Sequence, residues 1–266
     1  MKDDCTVKIR PELAEKLAGL ARRYENITFL EHDPSQFMHR YSSEADIETA
    51  AFIAAMLSFG RRDQILLKVD WILQRAGSSP AAWIADGKFA EDFTVSEKKF
   101  YRFYSSTDMR VFFSELGIIL RESGTLGKYF HAQYENSTGT DPASERNPFR
   151  MQTLISEAFP KSTPVPKNSL SACKRIHLFL RWMVRTGSPI DTGLWTWFSP
   201  ARLIMPLDTH VIKEASRLGL LGQIPVKKNG GGTAKNAYRL TQTLSQIWPE
   251  DPCKGDFALF GLGVNA

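Results

Sequence analysis

The chain has 266 residues, 42% hydrophobic and 24% charged, a composition that suits a globular protein with a real core and excludes a disordered or fibrous one. No stretch is apolar for long enough to span a bilayer, and the start, Met1-Lys2-Asp3-Asp4-Cys5, has no apolar leader, so a cytoplasmic protein without a membrane partner is expected. The net charge of +5 suits a polyanionic partner, while Cys5, Cys173 and Cys253 lie too far apart for a disulfide framework, a CxxC pair or a metal cluster.

In chain order, a helix is expected over 11–24. Ser43-Glu44-Ala45-Asp46 then resembles a capping box with Asp in the place of Glu. It opens "DIETAAFIAAMLSF", apolar nearly all round and so a buried helix, with Gly60 as its stop. "RRDQILLKVDWILQRAG" places Ile65, Val69 and Ile72 on one face and ends at Gly77. Further helices are expected over 108–121, 147–158, 170–185, 209–220, 233–247 and 255–262. "NSTGTDPASERNP", 136–148, is the most loop-like stretch and marks a boundary. "VKKNGGGT", 226–233, sets three glycines beside two lysines; no Walker pattern follows, so it reads as a connector. The expected fold class is all-α, with two helical lobes and an active-site groove between them. One lobe takes 1–40 plus 149–266 and the other 41–148; one integrated domain is the alternative.

Two segments carry candidate chemistry. In "IMPLDTH", 204–210, Asp208 stands just before a patterned helix. Asp is a favoured N-cap, worth roughly 1 kcal/mol, so a purely structural role accounts for it when taken alone. The helix "LSACKRIHLFLRWMVR" has Ile176, Phe179, Leu180, Met183 and Val184 on its apolar side. Lys174, His177, Arg181 and Arg185 follow at i, i+3, i+7 and i+11, either a solvated face or a wall facing a phosphate backbone. Between the two segments, "DTGLWTWFSP" supplies Asp191, Trp195, Trp197 and Phe198. Trp197 and Phe198 read as core. Asp256 reads as the cap of "FALFGLG". Asp208 and His210, without further ligands nearby, make no metal site.

"IMPLDTHVIKEASRLGLL" resembles the signature segment of helix-hairpin-helix DNA glycosylases, where a proline, one residue, an aspartate and often Thr-His begin a helix. "TAAFIAAMLSFGRRDQI" resembles the segment whose loop probes the duplex, and "GDFALFGLGVNA" the late helix of the same fold. The three appear in the family's order. The hairpin's usual Gly-x-Gly is absent, since the matching region reads "VPKNSLSACKR". The family's common lysine, about twenty residues before the aspartate, is also absent. The nearest upstream lysine is Lys174, and its wider spacing resembles the archaeal 8-oxoguanine glycosylase branch. The pattern "LFLRWMVR…DxGLW…PLDxHV…DFALFGLGV" is similar to that of an uncharacterised bacterial family.

The resemblance implies a monomeric DNA glycosylase of base excision repair, with or without AP lyase activity, acting on double-stranded DNA that carries an oxidised purine such as 8-oxoguanine. A non-catalytic nucleic-acid-binding protein of the same fold, or a monofunctional glycosylase for alkylated or mispaired bases, are the alternatives. Lys174 would attack C1′ and Asp208 would stabilise the sugar cation. Trp182 or Trp195 would stack on a flipped base and Asp191 would read its edge. Arg61, Arg62, Lys167, Asn168, Arg175, His177, Arg181 and His210 would contact DNA. Many relatives carry a four-cysteine iron–sulfur cluster after the late helix. Only Cys253 lies near that position, so no cofactor is expected.

Overall fold

The computed structural model of the chain describes residues 7–138, 147–167, 170–222 and 232–264. Helices dominate them, and among the described residues the one sheet is a two-stranded hairpin, so the fold class is all-α. The chain divides into two compact units, Met1–Phe29 with Asn168–Ala266, and Leu30–Lys167. No helix of the described residues is long and apolar enough to cross a membrane.

The unit Leu30–Lys167 is built on α2 (Glu44–Leu57). Its residues from Ala50 to Leu57 are all fully buried, as the unbroken apolar run requires. The helix starts where the capping box places it, with the Ser43 side chain accepting from the Asp46 amide. Two carboxylates of this apolar helix serve its neighbours. Asp46 accepts from Ser79 Oγ at 2.8 Å and from the Ala81 amide at 3.0 Å, tying down α4 (Pro80–Ala85). Glu48, buried, accepts from the Gly127 amide at 3.0 Å at the start of α7 (Leu126–Thr138). Each satisfies a helix-end amide that has no partner within its own helix.

The same unit also holds α3 (Arg62–Ala76), α5 (Phe89–Asp92), α6 (Ser106–Ser123) and α8 (Arg150–Ala158). Gly77 ends α3 at φ 68°. The rings of Phe52, Phe112 and Phe159 stack in the core. Before α6, β1 (Lys99–Tyr101) and β2 (Tyr104–Ser105) pair antiparallel about the two-residue turn Arg102-Phe103, with a register shift between Lys99 and Tyr101. The sequence reading missed α4, which is too short for a period to emerge. It also missed α7, whose "GKYFHAQYENST" is mostly polar. The loop-like stretch begins inside α7, and its residues 139–146 lie outside the described ones.

The other unit holds α1 (Pro11–Tyr24), α9 (Lys174–Val184), α10 (Thr209–Arg217), α11 (Ala234–Leu244) and α12 (Gly255–Val264). The apolar α12 packs on α1 and α10. The expected helix over 170–185 starts four residues late. Leu170 to Ala172 instead pair with the start of α11: the Ala172 amide donates to Gly232 O and the Ala234 amide to Leu170 O, both at 2.9 Å.

Candidate functional site

The late start of α9 sets up the site. Cys173, buried, is its N-cap in a left-handed conformation, φ 40° and ψ 45°. For a residue with a Cβ this costs roughly 1–2 kcal/mol. Lys174 is therefore the first helical residue, not one turn in. An ammonium there sits at the positive end of the helix macrodipole, where a purely structural lysine gains nothing.

What offsets that position is Asp208. The segment Leu203–Leu207 is buried, and the Met205 amide donates to Thr241 Oγ1 at 3.0 Å, which fixes where α10 begins. Asp208 divides its carboxylate between two tasks. Oδ1 accepts from the Val211 amide at 2.8 Å and caps α10, while Oδ2 meets Lys174 Nζ at 3.1 Å. The two side chains are 33% and 29% exposed, so a ligand can reach both. Burial pushes the Asp208 carboxyl up, but Lys174, the Val211 amide and the nearby His210 outweigh it and hold it below the usual carboxylate range.

Behind this pair lies a sealed ionic network. Asp256, in the first turn of α12, is bound by Arg181. Burial pushes its pKa up to about 6; repulsion from Asp208 adds to the rise, and Arg181 and Lys174 oppose it. Arg181 Nε also lies 3.3 Å from Asp191. Arg185 binds Asp191, reaches Asp251 at 2.8 Å and Glu25 at 2.7 Å, and both guanidinium groups lie over the Phe257 ring. Carboxylates outnumber guanidinium groups here, which favours a proton held inside the cluster.

The expected basic stripe is thus corrected. Arg181 and Arg185 are only 2% exposed and engaged by carboxylates, so neither faces a phosphate backbone. His177 is buried, and burial pushes its pKa down to about 3, leaving a neutral imidazole that offers no positive charge to DNA. The base pocket is corrected too. Trp182 is completely buried and Trp195 nearly so, with Phe179 edge-on to it at 5.3 Å, so a flipped base would stack on neither without opening the core. Asp191 is sealed between two arginines and reads no base edge. Phe198 is core, as expected. Trp197, expected as core, is half-buried and stacked on Trp195 at 5.4 Å.

Arg175 is half-buried and His210 exposed, both next in sequence to the Lys174–Asp208 segments. Arg61 and Arg62 are exposed at the start of α3, Arg61 pairing with Asp63 at 2.8 Å. Lys167 Nζ donates to the Phe159 carbonyl and to Ser156 O at 3.1 Å, so it caps the end of α8 in the other unit. Asn168 and residues 226–231 lie outside the described residues. Sequence reasoning missed Asp256 as a partner of the site, having taken it for a simple cap. The available signal was its place in the first turn of the late helix.

Among the described residues no group of three His, Cys, Asp or Glu side chains could hold a metal ion. Burial raises the pKa of the Cys173 and Cys253 thiols, which disfavours the thiolate that a nucleophile or a metal ligand must supply. A cavity of about 450 Å³ in the Leu30–Lys167 unit is lined by Arg40, Tyr41, Asp46 and Gln74 among others, and includes neither Lys174 nor Asp208.

No curated protein and no solved structure matches the chain. One family model does match, over residues 33–265, a span that takes in the Lys174–Asp208 pair, the sealed network apart from Glu25, and the whole Leu30–Lys167 unit except its first three residues. With so much of its length covered, the chain belongs to the family described as protein of unknown function (DUF2400).

Proposed function

We propose that the protein is a DNA glycosylase of base excision repair with AP lyase activity, of the helix-hairpin-helix type. On this reading it removes an oxidised purine such as 8-oxoguanine from duplex DNA in the cytoplasm. The observation that carries the reading is the contact of Lys174 Nζ with Asp208 Oδ2 at 3.1 Å, at a rim open to a ligand. An amine beside an ionised carboxylate is what such a reaction needs. Both groups come from one chain, so a monomer suffices.

In the proposed reaction Lys174 passes a proton to Asp208 and its free amine attacks C1′ of the damaged nucleotide. The Nζ–C1′ bond forms as the glycosidic C–N bond breaks, and the base leaves with the bonding electrons and takes up a proton. Asp208 hands that proton to the departing base and, ionised again, stabilises the positive charge that develops on the sugar. Opening of the sugar gives an imine between Lys174 and C1′. Loss of a proton from C2′ then expels the 3′ phosphate and cuts the strand. Water finally releases the lysine.

A panel of lesion-bearing duplexes, incubated with and without alkali, tests the reading. Base release with strand cleavage in the absence of alkali is expected. Asp208→Asn should lower excision by about 10²–10⁴-fold. Cleavage that appears only after alkali would assign a monofunctional glycosylase. Full activity in Asp208→Asn, or no lesion processed at all, would overturn the proposal, the latter in favour of a non-catalytic binder.

A further inference from the structure

The sealed network behind the Lys174–Asp208 pair does not balance. Among the described residues, four carboxylates, Glu25, Asp191, Asp251 and Asp256, meet three cations, Arg181, Arg185 and Lys254. With all of them ionised, one negative charge is left over. Water screens it poorly, since the Asp191 side chain is fully buried and Asp256 is buried beside Arg181. One proton on a carboxylate cancels it.

Asp256 is the member that adjoins the pair. It stands in the first turn of α12, which packs on α10, the helix that Asp208 begins. Arg181, which binds it, lies on the same stripe of α9 as Lys174. Among the charged groups that act on Asp256 are Arg181 and Lys174 from α9 and Asp208 from the start of α10. Asp208 repels it more strongly than Lys174 attracts it. The turn before α12 adds the Cys253 thiol, kept neutral by burial. Past the end of α1, which also packs on α12, Glu25 is held by Arg185 at 2.7 Å and by Lys254 at 3.6 Å.

Lys174 and Asp208 share a proton between two forms, an ion pair and a neutral pair of amine and acid. A negative charge that acts more on the carboxylate than on the ammonium destabilises the ion pair and acts little on the neutral one. We infer that Asp256 is a positioning residue that works through the pair: its negative charge drives the Lys174 proton onto Asp208 and frees the amine, and its protonation returns the pair to the ionic form. The inference rests on the reading above only for what the freed amine attacks. Asp256 gives up its proton as pH rises through about 6, so the amine is freed above that value and held below it.

Carboxyl-carbon NMR of the full chain, followed across that pH, reads the coupling without any turnover. In wild type the Asp208 signal should step as Asp256 ionises, above the pH at which Asp208 itself titrates. Asp256→Asn, which keeps an oxygen for Arg181, should remove the step, and Asp256→Glu should restore it. Single-turnover excision from a lesion-bearing duplex should rise about tenfold through the same step, the effect of about one pK unit of coupling, and stay level in Asp256→Asn. A purely structural link between Arg181 and Asp256 would produce neither change. No step in the wild-type Asp208 signal would overturn the inference, whether or not the variants fold. So would a step that survives Asp256→Asn, which places the proton on another carboxylate such as Asp191. Excision that stays level with pH in wild type while the step is present would likewise overturn it. A step that Asp256→Asn removes, with no base released from any lesion, would uphold the coupling and defeat only the glycosylase reading.

Discussion

Lys174 and Arg185 belong to one stripe of α9, yet they occupy opposite environments. At the first residue of the helix, Lys174 is one-third exposed and holds a single carboxylate that also caps α10. At the far end, Arg185 is sealed from water and shared by Asp191, Asp251 and Glu25. The same charge and helical phase therefore give a reachable amine at one end and a structural cross-link at the other. The difference comes from what packs over the helix. Nothing among the described residues needs Lys174 for the core, whereas removing Arg185 strands several buried charges.

Substitutions at the two ends of α9 should differ in their cost, and the largest effect belongs to the sealed end. Arg185→Ala should cost about 3–5 kcal/mol in urea unfolding, because it leaves Asp191 and its companions uncompensated. Lys174→Gln should cost about 0–1 kcal/mol, the range of a partly exposed pair. Equal losses at both ends would erase the distinction.

The next effect is a pH slope. Asp256 has a folded pKa of about 6, above its ordinary 3.8, so the folded state binds more protons between those values. Its contribution to stability is fully present below the lower value and is lost as pH rises through the upper one, at no more than about 1.4 kcal/mol per pH unit. Unfolding midpoints taken across that window should fall with pH in wild type and stay flatter in Asp256→Asn. A slope that survives the substitution places the proton elsewhere. Asp208 has the opposite sign. Its depressed pKa gives stability that is present above its unfolded pKa and lost as pH falls through the folded one, so its effect lies at more acid pH.

The smallest effect separates cap from chemistry at Asp208. Asparagine keeps the side-chain oxygen that accepts from Val211, so Asp208→Asn should change stability by only a few tenths of a kcal/mol, against about 1 kcal/mol for Asp208→Ala. If Asn costs as much as Ala, the contact with Lys174 matters more to the fold than the cap does.

Much of the helical framework was legible in the sequence because its signals are local. Ser43, Gly77 and Asp208 act as caps or stops within a few residues of themselves, and α2 is buried all round because its sequence is apolar all round. Lys174 and Asp208 were singled out through the resemblance, not through any periodicity. What the sequence did not reveal depends on distant partners. Arg181 and Arg185 look like a solvated stripe until Asp256, Asp251 and Glu25 arrive from elsewhere in the chain. Nothing local ranks Trp195 as core above Trp197, two residues away on one loop. The hairpin was invisible because five residues of strand, broken by a register shift, carry too little alternation to read.

In the proposed reaction the exposed end of α9 presents a nucleophile, and sodium borohydride trapping tests that role. Wild type mixed with a lesion-bearing duplex and borohydride should yield a covalent protein–DNA adduct, the reduced imine at C1′. Lys174→Gln should bind the same duplex yet yield none. An adduct that persists in Lys174→Gln, or base release in wild type with no adduct at all, would contradict the assignment of Lys174 as the attacking amine.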